Sequence, residues 1–175
     1  ILCIFAKMRK KVIVSVTNDI STDQRVFKEC NSLQAMGFEV ELIGASRPWS
    51  VALKRDYSCK RIKMRFNTGP LFYFEYNLRL FFLLLFKPAA VLLSNDLDTL
   101  LANYLISKLK NIPLVYDSHE LFPEAPELLE RPFKKRLWER LESFMLPKIK
   151  HAYTVCESIQ SHYKTLYGID MKVVR

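Results

Sequence analysis

The feature that most constrains the fold is a regular alternation of short apolar runs with longer segments of helical periodicity. The first run, at residues 12–16, is bounded by polar residues, as expected for a strand buried on both faces. A helical pattern over residues 26–36 follows and ends at Gly37, a residue suited to the position after a helix. Similar pairs recur along the chain. This order predicts an α/β domain whose parallel strands are joined by right-handed crossovers.

The other predicted elements follow the same alternation. Ser21 and Gln24 have capping-box spacing, which predicts Ser21 as the cap of the first helix. Further strands are predicted at residues 39–44, 61–66, 90–94, 113–117, 153–156 and 171–174. Further helices are predicted at residues 70–87, after Asp96 or Asp98, from Pro132 to near Pro147, and up to Gly168. The strand at 61–66 alternates polar and apolar residues, so we expect it near an edge. The prediction is a three-layer α/β domain with an open parallel sheet.

The length bounds the number of domains. The chain has 175 residues, half of them hydrophobic, which suits one well-filled core. We assign residues 11–175 to that domain and residues 1–10 to an N-terminal extension or a remnant of an artificial boundary. The chain stops at Arg175 just as a strand begins, so we expect the polypeptide to be cut from a longer one.

Cysteine usage and charge narrow the class of protein. The four cysteines lack metal-ligand spacing, which favours reduced, partly buried thiols in a cytosolic protein. The net charge is +9, but residues 117–130 carry five carboxylates and no Lys or Arg, whereas residues 131–150 carry seven basic residues and two acidic ones. This polarised pattern argues against a nucleic-acid binder. The longest apolar run, residues 80–86, is far shorter than the roughly 20 residues that span a bilayer.

Polar residues follow four of the predicted strands. Because ligands bind at the carboxyl ends of strands in open α/β sheets, we expect these residues to form one site. The candidates are Asn18, Asp19, Asn95, Asp96, Asp98, Asp117, Glu120, Glu157 and Ser158, together with His119. Each also has an ordinary structural interpretation: Asp96, Asp98 and Ser158 are suited to helix caps, and Asp19 to a turn.

His119 is the strongest candidate for a functional role. It lies in a strand-to-loop turn between Asp117 and Glu120. Nearby carboxylates would favour its charged form and make it a switchable hydrogen-bond donor at the mouth of a site. A structural histidine is the alternative.

Several chemistries are poorly supported. With only four glycines, the chain has neither a G-x-G-x-x-G turn after the first strand nor a P-loop, which argues against dinucleotide or ATP binding of those kinds. A G-x-S-x-G nucleophile elbow is absent, and the three histidines lack the spacing of a zinc site. We therefore expect no metal ligand.

These segments resemble, in their order, the N-terminal half of a GT-B glycosyltransferase of the large retaining group 1 family. The matching stretches are residues 14–19 with 23–25, 95–100, 115–124 and 154–158. The run D-S-H-E-L-F-P-E from Asp117 to Glu124 is the most specific of them. The resemblance covers nearly the whole chain after Lys10.

The resemblance implies a Rossmann-like acceptor domain facing a second, nucleotide-sugar-binding domain across a cleft. It implies a donor substrate rather than a cofactor, and catalysis without a metal. His119 would hydrogen-bond the transferring sugar and stabilise charge, which is electrostatic positioning rather than proton abstraction. Asn18, Asp19 and Arg25 would line the acceptor side, and Arg25 could also approach the donor phosphates.

The sequence departs from that family in two ways. Many relatives carry glycines after the first strand, whereas this loop runs from Asn18 to Thr22. The C-terminal domain with its E-x7-E donor signature is absent, so this chain alone should not catalyse transfer. The hypothesis is the acceptor domain of a retaining transferase that builds a cell-surface or lipid-linked glycan. The alternatives are a GT-B sugar-nucleotide epimerase and a non-catalytic glycan- or partner-binding subunit.

For two apolar helices, membrane contact is an alternative to core packing. In the basic helix, six residues make one apolar face, flanked by Lys and Arg: Phe133, Leu137, Trp138, Leu141, Phe144 and Met145. An ordinary core-packing helix with a solvated basic rim is the preferred interpretation, and docking on anionic lipid is the alternative. The helix at residues 71–86 is expected to cover the sheet, although its aromatic residues also suit a membrane or a missing neighbour. The expected location is the cytoplasm, with peripheral contact at the inner face of the membrane as an option.

Overall fold

The structure is a computed structural model that describes residues 10–125, 128 and 130–174. Its seven strands are all parallel and lie in the order β3-β2-β1-β4-β5-β6-β7. The strands are β1 Lys11–Ser15, β2 Glu39–Ser46, β3 Ser58–Lys63, β4 Val91–Asn95, β5 Leu114–Ser118, β6 His151–Thr154 and β7 Lys172–Val173. The helices are α1 Gln24–Ala35, α2 Gly69–Leu85, α3 Leu97–Lys110, α4 Pro132–Met145 and α5 Glu157–Tyr167. The predicted α/β class and open parallel sheet are confirmed.

The sheet separates two apolar layers. Alternate side chains of the central strands point to opposite faces, as the strand period requires. Val12 and Val14 pack against α1, whereas Ile13 packs in the larger cluster with residues of α2 to α5. Helix α1 packs on one face of the sheet and α2 to α5 pack on the other, so the molecule has three layers. The central strands are apolar almost throughout because both of their faces are covered.

The register of the sheet aligns the strand ends that carry polar residues. Ser15 of β1 pairs with Ser94 of β4, and Asn95 of β4 pairs with Asp117 of β5. The chain moves to one side of β1 through β2 and β3, and to the other side through β4 to β7. The strand order therefore reverses between β1 and β4, which is where ligands bind in sheets of this kind.

Local geometry corrects two predicted helix caps. Asp23, rather than Ser21, caps α1, because its Oδ1 accepts a 3.0 Å hydrogen bond from the Val26 backbone amide. Ser21 instead donates to Asp19. Asp96 occupies the position before α3 but makes no side-chain capping bond. The carboxylate of Asp98 accepts from a side chain of another element, as described below.

The strand bounds also shift. β3 begins three residues before its predicted start and lies at the sheet edge as expected. β6 begins two residues early and ends at Thr154, so Cys156 occupies the position before α5 rather than ending the strand. Cys30 is buried, and burial raises the pKa of its thiol to about 12. Cys59 is exposed on β3, and Cys3 lies outside the described residues.

Candidate functional site

The candidate site lies at the carboxyl ends of β1, β4 and β5, the neighbouring central strands of the sheet. Each strand ends in buried residues, and polar side chains lie at its end or within two residues beyond it. The ends of these strands and the connections that follow them carry most of the predicted site residues, which are Asn18 and Asp19, Asn95 to Asp98, and Asp117 to Glu120. The sheet therefore brings together residues that are up to a hundred positions apart in the sequence.

His119 is paired with Asp96 at this edge. Nδ1 of His119 lies 2.9 Å from Oδ1 of Asp96, and the imidazole is about one quarter exposed. Burial alone would lower the pKa of His119, but the Asp96 carboxylate outweighs it and raises the pKa above its ordinary value. Because Nδ1 faces Asp96, Nε2 is the nitrogen through which His119 would donate to a ligand.

The backbone at Asp96 has an unusual conformation. Its φ is +60°, a value that costs a non-glycine residue roughly 1 kcal/mol or more. The Asp96 amide donates a 2.9 Å hydrogen bond to the Asp117 carbonyl oxygen, which extends the pairing of β4 with β5 into the site. Strained residues of this kind cluster at functional sites, and here the strain places a carboxylate against His119.

Arg25 joins helix α1 to β4 and β5. Its Nη1 donates to Oδ1 of Asn95 at 2.7 Å and to Oδ2 of Asp117 at 2.5 Å. Nη2 lies 3.8 Å from Oδ2 of Asp96. Arg25 was predicted beside the acceptor, and the structure adds that its guanidinium also holds three of the other predicted residues in place.

Two residues beneath Arg25 were missed by the sequence analysis. Glu29 accepts a 3.1 Å hydrogen bond from Asn95 Nδ2 and a short one from the Tyr153 hydroxyl of β6. Burial raises the pKa of Glu29, and the hydrogen bonds oppose that shift. Glu29 follows Arg25 by four residues on α1, so the helical period places both on the same face. That spacing was the available signal.

Asp98 faces the interior of the site rather than capping α3. The Thr17 hydroxyl donates a short hydrogen bond to its Oδ2, and its backbone oxygen accepts from Asn77 at 2.7 Å. Burial raises the pKa of Asp98 strongly, and the neighbouring charge of Asp96 adds to the shift. Thr17 thus links β1 directly to the start of α3.

Burial and neighbouring charges raise the pKa values of several groups in this cluster. Burial raises the pKa of Asp117 to about 7, with Glu29 adding to the shift and Arg25 opposing it. The pKa of Asp98 is raised as well, whereas that of His119 is raised by its carboxylate neighbours. The arrangement favours the charged form of His119, which can present a cationic hydrogen-bond donor to a hydroxyl or phosphate oxygen.

An open cavity of about 680 Å³ adjoins the cluster through Arg25. It is lined by Asn18, Asp19, Thr22, Asp23, Gln24, Arg25, Arg47, Trp49, Asn67 and Thr68. Asn18 is exposed on its wall and donates to Asp23 at 3.2 Å. The Asp19 carboxylate is buried and accepts from Ser21 and Ser50 at 2.8 Å each. Asp19 therefore shapes the loop beneath the cavity.

Arg47 is a further residue of the cavity that the sequence analysis missed. It donates to the Thr17 carbonyl at 3.3 Å and to the Asn67 carbonyl at 2.7 Å, and its guanidinium lies over the Phe72 ring. The predicted second strand ended at Gly44, whereas β2 continues to Ser46. Taking the residue after the true end of β2 would have identified Arg47 by the rule used for the other strands.

The remaining predicted residues lie farther out. Glu120 is exposed beside His119, and Glu157 and Ser158 are exposed at the start of α5, after β6. The Ser158 hydroxyl lies 3.1 Å from the Cys156 sulfur. The roles assigned to all of these residues, His119 included, stay predictions. Among residues 10–125, 128 and 130–174, no group of three His, Cys, Asp or Glu side chains is arranged to hold a metal ion.

Comparison with proteins of known structure identifies the same architecture. Sucrose-phosphate synthase from Thermosynechococcus elongatus has a TM-score of 0.66 at 11% identity, over 94% of this chain and 47% of that one. UDP-GlcNAc 2-epimerase from Methanocaldococcus jannaschii has a TM-score of 0.57 at 13% identity, over 95% of this chain and 45% of that one. A putative UDP-N-acetylglucosamine 2-epimerase from Listeria monocytogenes has a TM-score of 0.62 at 11% identity, over 90% and 41%.

This chain thus spans a little under half the length of these proteins, and the likeness concerns the fold. A search of curated proteins gives no significant match. The sequence model of Glycosyltransferase Family 4 matches residues 24–175, which is most of the chain and all of the site after the first loop. The chain therefore belongs to Glycosyltransferase Family 4, as an N-terminal domain of the GT-B fold.

Proposed function

We propose that this chain is the acceptor-binding half of a glycosyltransferase that moves a hexose from a nucleotide-sugar to a glycan or lipid-linked acceptor with retention of configuration. Family membership and the open cavity beside the polar cluster support the proposal. A second, donor-binding domain would complete the site from the other side of the cleft. The product would be a cell-surface or lipid-linked polysaccharide made on the cytoplasmic side of the membrane. Nucleotide-sugar is the donor substrate, and no cofactor is required.

The observation that carries the proposal is the pairing of His119 with Asp96 at the mouth of the cleft. The Asp96 carboxylate stabilises the charged imidazole and occupies Nδ1. A proton-abstracting base needs a free lone pair, which the charged form lacks. His119 is better suited to donating a hydrogen bond to the transferring sugar and stabilising the charge that develops as the glycosidic bond breaks.

The cavity beside Arg25 supplies the acceptor side. Asn18 and Arg47 offer an amide and a guanidinium, and Trp49 is two-thirds exposed at the rim. Sugar hydroxyls bind to such polar groups, and an exposed indole offers an apolar surface for a sugar ring. Arg25 is held by Asp117 and Asn95, so its position is fixed before any ligand arrives.

The test is the substitution His119→Ala in the intact protein, with a panel of nucleotide-sugars screened first for sugar transfer. Loss of one preorganised donor to the transition state should lower kcat by about 10²–10³. The melting temperature should change little, because the side chain is partly exposed. His162→Ala on α5 is the matched control, since His162 lines a separate cavity, and it should retain full activity. Equal turnover by His119→Ala and the wild type would remove His119 from the mechanism.

The same assay separates the alternatives. If the configuration at one carbon of the nucleotide-sugar inverts without any acceptor, as monitored by NMR, the protein is an epimerase instead. Saturable binding of a glycan without turnover of any donor would indicate a binding subunit. Transfer of sugar to an acceptor, with release of the nucleotide, is the result that we expect.

A further inference from the structure

Helix α2 is apolar on two opposite sides. Its inner side packs on the sheet through Phe72, Tyr76, Leu80 and Leu84, all of which are buried. Its outer side exposes a second stripe at helical spacing, formed by Leu71, Phe74, Leu78 and Phe82. Phe74 is 68% exposed, so covering the sheet does not explain why it is aromatic.

Helix α4 divides its predicted apolar face in the same way. Trp138, Leu141 and Met145 pack inward, as the core-packing prediction requires. The other three, Phe133, Leu137 and Phe144, are 82%, 46% and 55% exposed. Helix α3, which packs between the two, adds exposed Leu105 and Leu109. We call the exposed apolar residues of α2, α3 and α4 the apolar face.

An apolar groove of about 440 Å³ lies between α2 and α4 within this face. Its floor and walls are Tyr73, Phe74, Leu97, Leu101, Leu137, Trp138 and Leu141. Arg131 and Lys134 also line it, which places cations beside an apolar channel. Exposed apolar surface of this extent with a polar rim marks an interaction site.

Basic residues outnumber carboxylates on the three helices. Seven basic residues lie on α2, α3 and α4: Arg79, Lys108, Lys110, Lys134, Lys135, Arg136 and Arg140. Three of the four carboxylates on these helices, Glu75, Asp98 and Glu142, are buried. The fourth, Glu139, is partly exposed and lines a separate cavity together with Arg136 and Arg140. At the groove itself, Arg131 and Lys134 are the charged residues among the described lining, and no carboxylate lies among them, so the apolar face suits an anionic partner.

The apolar face adjoins the cleft. Asn67 and Thr68 line the cavity beside Arg25, and the next two residues, Gly69 and Pro70, line the apolar groove. A molecule with an apolar tail in the groove could thus place its polar end toward the cleft. No described helix is long and apolar enough to cross a membrane.

We propose that the apolar face docks on a lipid bilayer that carries anionic lipid, with the groove taking one hydrocarbon chain. Aromatic and aliphatic side chains enter the boundary between headgroups and acyl chains, and the surrounding Lys and Arg bind the anionic headgroups. Docking in this way presents the cleft to an acceptor anchored in the same bilayer. This last step rests on the proposed glycosyl transfer, whereas the docking itself does not.

The test is flotation of the intact protein with vesicles of phosphatidylcholine alone or with 30 mol% phosphatidylglycerol, at low salt and without substrate. Binding is expected to the anionic vesicles and to weaken as salt rises. The paired substitution Phe74→Gln with Phe82→Gln should weaken binding at least tenfold, given the apolar area removed. Arg131→Glu with Lys134→Glu should weaken it at least as much, since each lost cation counts for about fivefold.

Matched controls lie elsewhere on the surface. Met36→Gln with Leu166→Gln changes two exposed apolar residues outside the face, and Lys28→Glu with Lys60→Glu changes two exposed cations. Both should bind vesicles as the wild type does. Absence of binding to anionic vesicles, or equal binding by face and control variants, would overturn the proposal. So would a dimer in sedimentation that the Phe74 and Phe82 substitutions dissociate, because the face would then be covered by a second copy.

The proposals of membrane docking and of glycosyl transfer are tested independently of each other. Vesicle binding is measured without any sugar donor, so it is unaffected if the protein turns out not to transfer sugar. Conversely, normal transfer to a water-soluble acceptor by a face variant that no longer floats would support the transferase and localise the defect to docking.

Discussion

Replacing Gly44 with alanine should disturb the loop that shapes the cleft. Gly44 is buried in β2, and a Cβ at this position would lie 2.3 Å from Cγ2 of Ile20 and 3.1 Å from the carbonyl oxygen of Asn18. Its backbone is outside the left-handed region, so alanine suits the conformation and only space is short. The added methyl should therefore push Ile20 and the adjoining Asn18 turn outward.

Two opposing effects determine how much Gly44→Ala changes the free energy of unfolding. Overpacking of a filled interior costs about 1–3 kcal/mol. Alanine also restricts the unfolded chain more than glycine does, which returns about 0.4–1 kcal/mol. The clash is the larger effect, so we expect a net loss of about 1–2 kcal/mol of unfolding free energy. For a chain of this size, that corresponds to a melting temperature lower by about 2–8 °C.

Urea denaturation followed by circular dichroism measures this loss directly. Because Asn18 lines the cavity and His119 lies on a different connection, the KM for the acceptor should rise more than kcat falls. A double-mutant cycle with Ile20→Ala locates the cause. Ile20→Ala alone should cost about 2–5 kcal/mol, since Ile20 is buried.

With Cγ2 of Ile20 gone, the overpacking is relieved, and Gly44→Ala should instead stabilise the protein by about 0.4–1 kcal/mol, the amount that comes from the unfolded chain. The coupling between the two sites is then about 1–3 kcal/mol, equal to the relieved overpacking. The same loss in both backgrounds would refute the reasoning, as would a Gly44→Ala variant as stable as the wild type.

Two further predictions concern the site and its support. Asp96→Asn should lower the pKa of His119, because it removes the neighbouring charge that raises this pKa. In the wild type, proton binding by His119 stabilises the fold below the unfolded pKa of about 6.5, and that contribution is lost as the pH rises through the folded pKa. The substitution should weaken this pH dependence, and an unchanged His119 titration by NMR would contradict the pairing. Tyr76→Phe should cost about 1 kcal/mol in urea denaturation, because the buried hydroxyl donates to the Val16 carbonyl oxygen at 2.7 Å. A loss of zero would show that this hydrogen bond adds no net stability.

The sequence predicted the fold well because its signals are local. The buried runs, the helical spacing and Gly37, whose φ is +88°, each depend on residues within a few positions of one another. The element bounds were less accurate, as with β3 and β6, since the end of a strand depends on its neighbours in the sheet. The choice of Asp23 over Ser21 as a cap follows from Asp19, which binds Ser21 within the preceding turn.

The site was predicted in position but not in its connections. The carboxyl-edge rule identified Asp96, Asp117 and His119 because it depends only on where strands end. Their pairing was not foreseeable, since it depends on the positive φ of Asp96 and on the register between β4 and β5. Glu29 was missed because its partner Tyr153 lies 124 residues away.

By itself, then, the sequence determined the alternation of strands and helices and the polar residues that follow the central strands, because backbone periodicity encodes both. Only the tertiary structure decided that Arg25 joins Asn95 and Asp117. It also decided that three of the six apolar residues predicted on one side of α4 remain exposed. The physical reason is that helical and strand periods show which residues share a side of an element. Whether a neighbour covers that side, and which charge lies opposite, depends on chain segments far away in the sequence.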